Sequence, residues 1–187
     1  AVNIFVTGGC KNGKSTHAER LAVAQRGQGL PLYYLATMLP ADEEDNARIA
    51  RHRAQRRGLG FTTLELPRNL AQLPPDCNRS GSFLLDSTTA LLSNEMFCNG
   101  TADATAAQRV AADLNELLDS LQNLVIVSDW LGSDAVRYDP LTEQYRAGLA
   151  ALDRLCARRC EVVLEVCLGT LIYHKGGEQY EACFGSR

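Results

Sequence analysis

Near its start the chain carries Gly8-Gly9-Cys10-Lys11-Asn12-Gly13-Lys14-Ser15, which satisfies G-x-x-x-x-G-K-[ST]. Glycines allow backbone conformations and close approaches that a Cβ would obstruct. Successive N–H groups can therefore converge on phosphate oxygens at the positive end of the next helix. Lys14 would then reach the terminal phosphates, and the Ser15 hydroxyl would ligate Mg2+. A chance glycine turn is the competing explanation, but the octet directly follows an apolar run and opens a helical pattern, the context the motif requires. A second group is Phe83-Leu84-Leu85-Asp86, an apolar run ending in a carboxylate. Asp86 would hold Mg2+ directly or through water, or else serve as a turn former.

A third group surrounds a histidine. Asp42-Glu43-Glu44-Asp45 precedes Arg48, Arg51, His52, Arg53, Arg56 and Arg57, a polarity that suits a helix with carboxylates at its N-terminal end and cations at its C-terminal end. On that helix Arg48, His52 and Arg56 form one row, a turn apart. A solvated face explains this, and so does chemistry. Flanking guanidiniums keep an imidazole neutral and supply forks for phosphate oxygens, as a histidine attacking the α-phosphorus of a nucleotide needs. Neither His17 nor His174 has such surroundings.

The elements that must position these groups alternate. Strands are expected at residues 2–7, Leu32–Ala36, Phe61–Leu66, Ser82–Asp86, Leu124–Ser128 and Glu161–Leu168. Helices are expected from Ser15 to about Arg26, over Ala104–Leu121 and over Leu141–Arg158. The pattern predicts an α/β fold of the P-loop NTPase kind, a single domain whose mostly parallel sheet has helices on both faces and binds ligands beyond the strands' carboxyl ends. Residues 1–175 would form this phosphate-loop domain. Residues 176–187, glycine-rich, charged and without periodicity, would be a C-terminal tail. Long loops are expected at Pro67–Ser80 and Asn99–Asp103.

The 187 residues carry a net charge of −3, with 45% hydrophobic and 22% charged positions. That composition is globular and argues against a coat for nucleic acid or anionic membrane. No apolar run approaches the ~18 residues that span a bilayer, and residues 1–6 lack a secretory start, so a cytoplasmic protein is the default. Seven cysteines show no C-x-x-C pair. Cys156 and Cys160 share a helix face with the spacing of a metal pair, though buried thiols are the simpler expectation.

These residues resemble, in order and spacing, the bifunctional adenosylcobinamide kinase / adenosylcobinamide-phosphate guanylyltransferase family of cobalamin biosynthesis. The resemblance rests on the octet at 8–15, Tyr34-Leu35-Ala36-Thr37, Ala47-Arg48-Ile49-Ala50-Arg51-His52-Arg53, Glu65, Leu85-Asp86-Ser87-Thr88-Thr89 and Ser93-Asn94. It covers about the first hundred residues, and the histidine motif separates this family from other P-loop kinases. It implies phosphorylation of the aminopropanol hydroxyl of adenosylcobinamide by ATP or GTP, then transfer of GMP from GTP through a guanylylated histidine. His52 matches that histidine. Ala36, Thr37, Met38, the stretch Arg53-Ala54-Gln55-Arg56, Glu65 (after a one-residue insertion) and Asp86 match positions associated with GTP binding. Family members form homotrimers.

The second half departs from the pattern. A V-S-N-E-V-G segment becomes Val127-Ser128-Asp129-Trp130-Leu131-Gly132, and the hydrophobic glycine-proline segment after it becomes residues 133–140. An Asn-Gln pair becomes Leu152-Asp153, and an alanine-glycine turn becomes Cys167-Leu168-Gly169-Thr170. Trading Glu for Trp removes a carboxylate able to bind metal or act as a base. Two other functions therefore stand beside the bifunctional enzyme: a non-catalytic nucleotide-binding relative, and a P-loop kinase of another small alcohol.

Overall fold

Strand β1 (Ile4–Gly8) explains the layering, because its side chains alternate between two cores. Ile4 and Val6 join Ala18, Leu21 and Ala22 on one side, whereas Phe5 joins Leu85, Leu91, Leu114 and Leu152 on the other. A computed structural model describes residues 2–98, 100–132 and 136–185; the Arg48 side chain also lies outside the described residues. The elements after β1 are α1 (Lys14–Ala24), β2 (Leu32–Ala36), α2 (Glu43–Arg56), β3 (Phe61–Glu65), β4 (Ser82–Asp86) and α3 (Thr88–Met96). Then come α4 (Ala106–Ser120), β5 (Leu124–Val127), α5 (Pro140–Arg159), β6 (Val162–Cys167), β7 (Thr170–Lys175) and α6 (Gly177–Phe184).

The sheet order is β3-β2-β4-β5-β1-β6-β7, parallel except for β7. Helices α3, α4 and α5 cover one face; α1 and α6 lie on the other. This is the expected single-domain α/β architecture with helices on both faces. Beyond helix α3, which had no counterpart among the expected helices, two features differ from expectation. The last parallel strand turns back into β7 through Leu168 and Gly169, both at positive φ, a pairing of conformations that closes a tight hairpin. The segment expected to lack periodic structure forms α6, which buries Tyr180 against the α1 face. Its aromatic residues Tyr180 and Phe184 lie one turn apart with ring centroids 5.1 Å apart.

Local chemistry sets the helix starts near the site. Asp42 caps α2 by accepting from the Asp45 N–H at 2.8 Å, and Asp45 accepts from Ala41 N–H at 3.1 Å. The Ser87 hydroxyl caps α3, and Asp139 with Pro140 at N1 starts α5. The expected loop at 67–80 contains a short 3-10 turn, Leu70–Gln72. Of the other expected loop, Asn99 lies outside the described residues. So do residues 133–135 of the altered segment after Gly132. Among the described residues no helix is long and apolar enough to cross a membrane.

Candidate active site

At the carboxyl ends of β1, β2, β4 and β5 the chain encloses a cavity of about 530 Å³. The octet approaches it in a shape that depends on Gly8 and Gly13. Gly8 has φ +149°, and a Cβ there would meet the Val166 carbonyl oxygen at 2.5 Å. Asn12 pins the loop from two sides, donating to the Val166 carbonyl and accepting from the Lys14 N–H at 3.2 Å. Gly13, at φ +87°, then leads into α1. Gly9, Cys10 and Lys11 are exposed on the rim, whereas Lys14 and Ser15 form part of the cavity wall.

The Lys14 ammonium donates to the Gly9 carbonyl at 3.0 Å and pairs with Asp129 Oδ1 at 2.5 Å. Asp129 follows β5, which lies between β1 and the β4 strand bearing Asp86. Asp86 is therefore one strand removed from the phosphate loop, yet it shares the cavity with Ser15. Its Oδ2 accepts the Tyr34 hydroxyl at 2.8 Å. The donor set fits magnesium, which takes one or two protein oxygens and completes its shell with waters and substrate phosphates. Ser15 and Asp86 are the residues that would hold it.

Helix α2 brings His52, Arg53 and Arg56 to the same cavity. His52 is half-buried. Arg56 behaves differently from a solvated phosphate fork. Its guanidinium lies 3.5 Å over the Tyr34 ring and 3.7 Å from Glu19 Oε1, and all three residues are buried. Among the described side chains of α2 it is the only buried one, so it anchors the helix that carries His52. Arg53 pairs instead with Glu65 at 2.6 Å on the exposed side. The Arg48 side chain of the expected row is outside the described residues.

The remaining residues matched to the family's GTP-binding positions divide. Ala36, Met38, Glu65 and Asp86 line the cavity, whereas Ala54 and Gln55 are exposed and outside its wall. Thr37 is buried beneath it and organises the β4–α3 turn, accepting from Ser87 N–H at 2.6 Å and donating to the Ser87 carbonyl at 2.9 Å. Asn94 donates to the Thr37 and Pro67 carbonyls at 2.7 and 2.9 Å.

Sequence reasoning missed Glu19, Tyr34, Thr89, Asp129 and Tyr145 as site residues. Thr89 Oγ1 accepts the Asp129 N–H at 2.8 Å, while the Tyr145 hydroxyl donates to the Thr89 carbonyl at 2.9 Å. Behind them the Ser128 hydroxyl donates to Asp153 at 2.6 Å. Burial, with a smaller push from the Asp129 charge, raises the Asp153 carboxyl to about 6. The departure at position 129 was visible in the sequence; its contact with Lys14 depends on strand order. Cys156 and Cys160 are buried free thiols, and among the described residues no group of three or more His, Cys, Asp or Glu side chains is placed to hold a metal.

Glu19 gives a test of the anchor. Burial, the largest influence, raises its carboxyl from 4.5 to about 6; Arg56 opposes the rise and Asp86 adds to it. The folded chain thus keeps a proton that the unfolded chain releases between those values, so stability falls as pH rises through 4.5–6. Glu19→Gln should remove about 1–2 kcal/mol of that dependence, read as a flatter Tm between pH 4.5 and 7. A Tm profile identical to wild type would show that the pair does not titrate as described.

A phosphate loop that leads from the carboxyl end of a central parallel strand into a helix defines a P-loop nucleotide-binding protein. Solved structures share that fold: a KaiC-like protein of Pyrococcus horikoshii (TM-score 0.52, 12% identity, 95% of this chain and 80% of that one) and the flagellar accessory protein FlaH of Methanocaldococcus jannaschii (0.51, 12%, 93% and 78%). The family model described as cobinamide kinase / cobinamide phosphate guanyltransferase matches residues 4–173. The chain belongs to that family. Its relatives include the bifunctional adenosylcobalamin biosynthesis protein CobP of Pseudomonas aeruginosa, 34% identical over 177 residues, covering 92% of this chain and 96% of the relative. Another is the bifunctional adenosylcobalamin biosynthesis protein CobU of Escherichia coli, 31% identical over 155 residues, covering 76% and 83%.

Proposed function

We propose that the chain phosphorylates the aminopropanol hydroxyl of adenosylcobinamide with ATP or GTP, then transfers GMP from GTP to the product through a guanylylated His52. It would act as a cytoplasmic homotrimer, a state that family resemblance supports. The observation that carries this reading is one cavity lined by Lys14, Ser15 and Asp86 together with His52. Both steps handle a nucleoside triphosphate, and a shared phosphate edge suits both.

In the first step the octet's amides and Lys14 hold the β- and γ-phosphates. Magnesium, when bound, neutralises charge on those oxygens. In the second, a His52 ring nitrogen attacks the α-phosphorus of GTP and pyrophosphate leaves. The phosphate of adenosylcobinamide phosphate then displaces the histidine to give adenosylcobinamide-GDP. Met38, Leu39, Pro40 and Ile49 form an apolar flank of the cavity that suits a purine face. Arg53, Glu65 and the rim residues supply polar contacts around it, and Arg56 acts from its buried seat.

Incubation with adenosylcobinamide, ATP, GTP and Mg2+ tests the reading: chromatography and mass spectrometry should show adenosylcobinamide phosphate and then its GDP derivative. Absence of both, with nucleotide still bound, would overturn it. Half-exposed Trp130, standing where the family pattern has Glu, favours a second reading as a kinase of a different alcohol, which an acceptor screen for ADP release separates. Asp86→Asn should raise the Mg2+ concentration for half-maximal turnover by about 10-fold or more. An unchanged Mg2+ dependence would remove Asp86 from the metal role.

A further inference from the structure

We propose that Asp129 is the base that takes the proton from the phosphorylated hydroxyl, and that Lys14 covers it until a nucleoside triphosphate draws the ammonium away. The inference rests on the kinase step above.

The geometry sets up an exchange of partners. Lys14 Nζ is 2.5 Å from Asp129 Oδ1 and 3.0 Å from the Gly9 carbonyl. The side chains are only 7% and 17% exposed, so water does little to screen the pair. An ammonium so engaged cannot serve terminal phosphates in the same pose. An entering triphosphate offers several anionic oxygens and competes for it. When Lys14 turns to them, Asp129 is left as a carboxylate on the cavity wall, its backbone fixed by Thr89 and bordered by Tyr145 and Asp153. No comparable release awaits Asp86, whose Oδ2 is committed to the Tyr34 hydroxyl.

Position matters as much as charge. Asp129 follows β5, one strand closer to the phosphate loop than Asp86 on β4. A carboxylate beside Lys14 lies beside the γ-phosphate that Lys14 would hold, where an attacking hydroxyl must arrive. The chain thus carries a carboxylate at 129 where the family pattern has an amide, and a tryptophan at 130 where the pattern has the acid. The step balances: the hydroxyl oxygen bonds to the γ-phosphorus, the bond from that phosphorus to the β–γ bridging oxygen breaks, the nucleoside diphosphate leaves, and the proton passes to Asp129.

Asp129→Asn keeps size and most hydrogen bonding while removing charge. Its affinity for ATP and GTP, measured by titration with Mg2+ and no acceptor, should tighten about fivefold, because Lys14 no longer has to leave a carboxylate. Turnover on adenosylcobinamide should fall about 10²-fold or more with little change in acceptor KM. Tightened binding also shows that the variant folds. Unchanged or weaker nucleotide affinity overturns the exchange, and tightened affinity with wild-type turnover overturns the base. If wild type fails to phosphorylate adenosylcobinamide, the kinase reading falls, and the affinity ratio still decides the exchange.

Discussion

Replacing Lys14 with alanine should lower phosphoryl transfer to adenosylcobinamide by about 10³-fold or more, as expected for a cation aimed at charge on a transferring phosphoryl group. The same replacement should also destabilise the protein. Asp129 would lose the ammonium 2.5 Å away while staying largely buried. An uncompensated carboxylate in such a place costs about 2–3 kcal/mol. The two effects come apart in a double variant. Lys14→Ala with Asp129→Asn removes both charges, so Tm should return toward wild type while activity stays lost. Initial rates and thermal unfolding of the four proteins in the cycle measure this directly. Near-wild-type turnover in the single variant would sink the role of Lys14. Recovery of activity in the double variant would show that the lysine serves folding alone.

That cycle also shows which parts of the site the sequence could reveal. Lys14, Ser15, His52 and Asp86 were legible because each belongs to a local pattern: a glycine loop after a strand, a cationic helix end, an acid after an apolar run. The apolar run at residues 2–7, and the helical spacing of Val110, Leu114, Leu117 and Leu118, similarly revealed strands and helices. What stayed hidden is non-local. Asp129 meets Lys14 because β5 inserts between β1 and β4, an order that no local pattern encodes. Arg56 looked like a phosphate fork beside His52, but Tyr34 and Glu19, from two other elements, claim its guanidinium. Strand β7 was missed because Leu168 holds a positive φ that asparagine or glycine would have advertised. Helix α6 was missed because its glycines mask a short apolar face whose partners, in α1 and the sheet, come from the other end of the chain.

His52→Asn should separate the two proposed reactions. The amide cannot form a stable phosphoramidate, so guanylyl transfer should drop by about 10³-fold or more. Phosphorylation of adenosylcobinamide should persist, because Lys14, Ser15 and Asp86, which would handle the terminal phosphates and Mg2+, belong to elements other than α2 and keep their contacts when His52 is replaced. With GTP labelled in the α-phosphate, wild type should retain acid-labile label and lose it when adenosylcobinamide phosphate is added. The anchoring of α2 predicts how well the imidazole is aimed. Arg56, at 3.5 Å over Tyr34, fixes the helix end one turn beyond His52 to the strand that also supplies Ala36. The histidine therefore approaches the nucleotide from a helix tied to its floor. Label on the Asn variant equal to wild type would exclude His52 as the nucleophile. Loss of label together with loss of phosphorylation would mean that the histidine shapes the common nucleotide site.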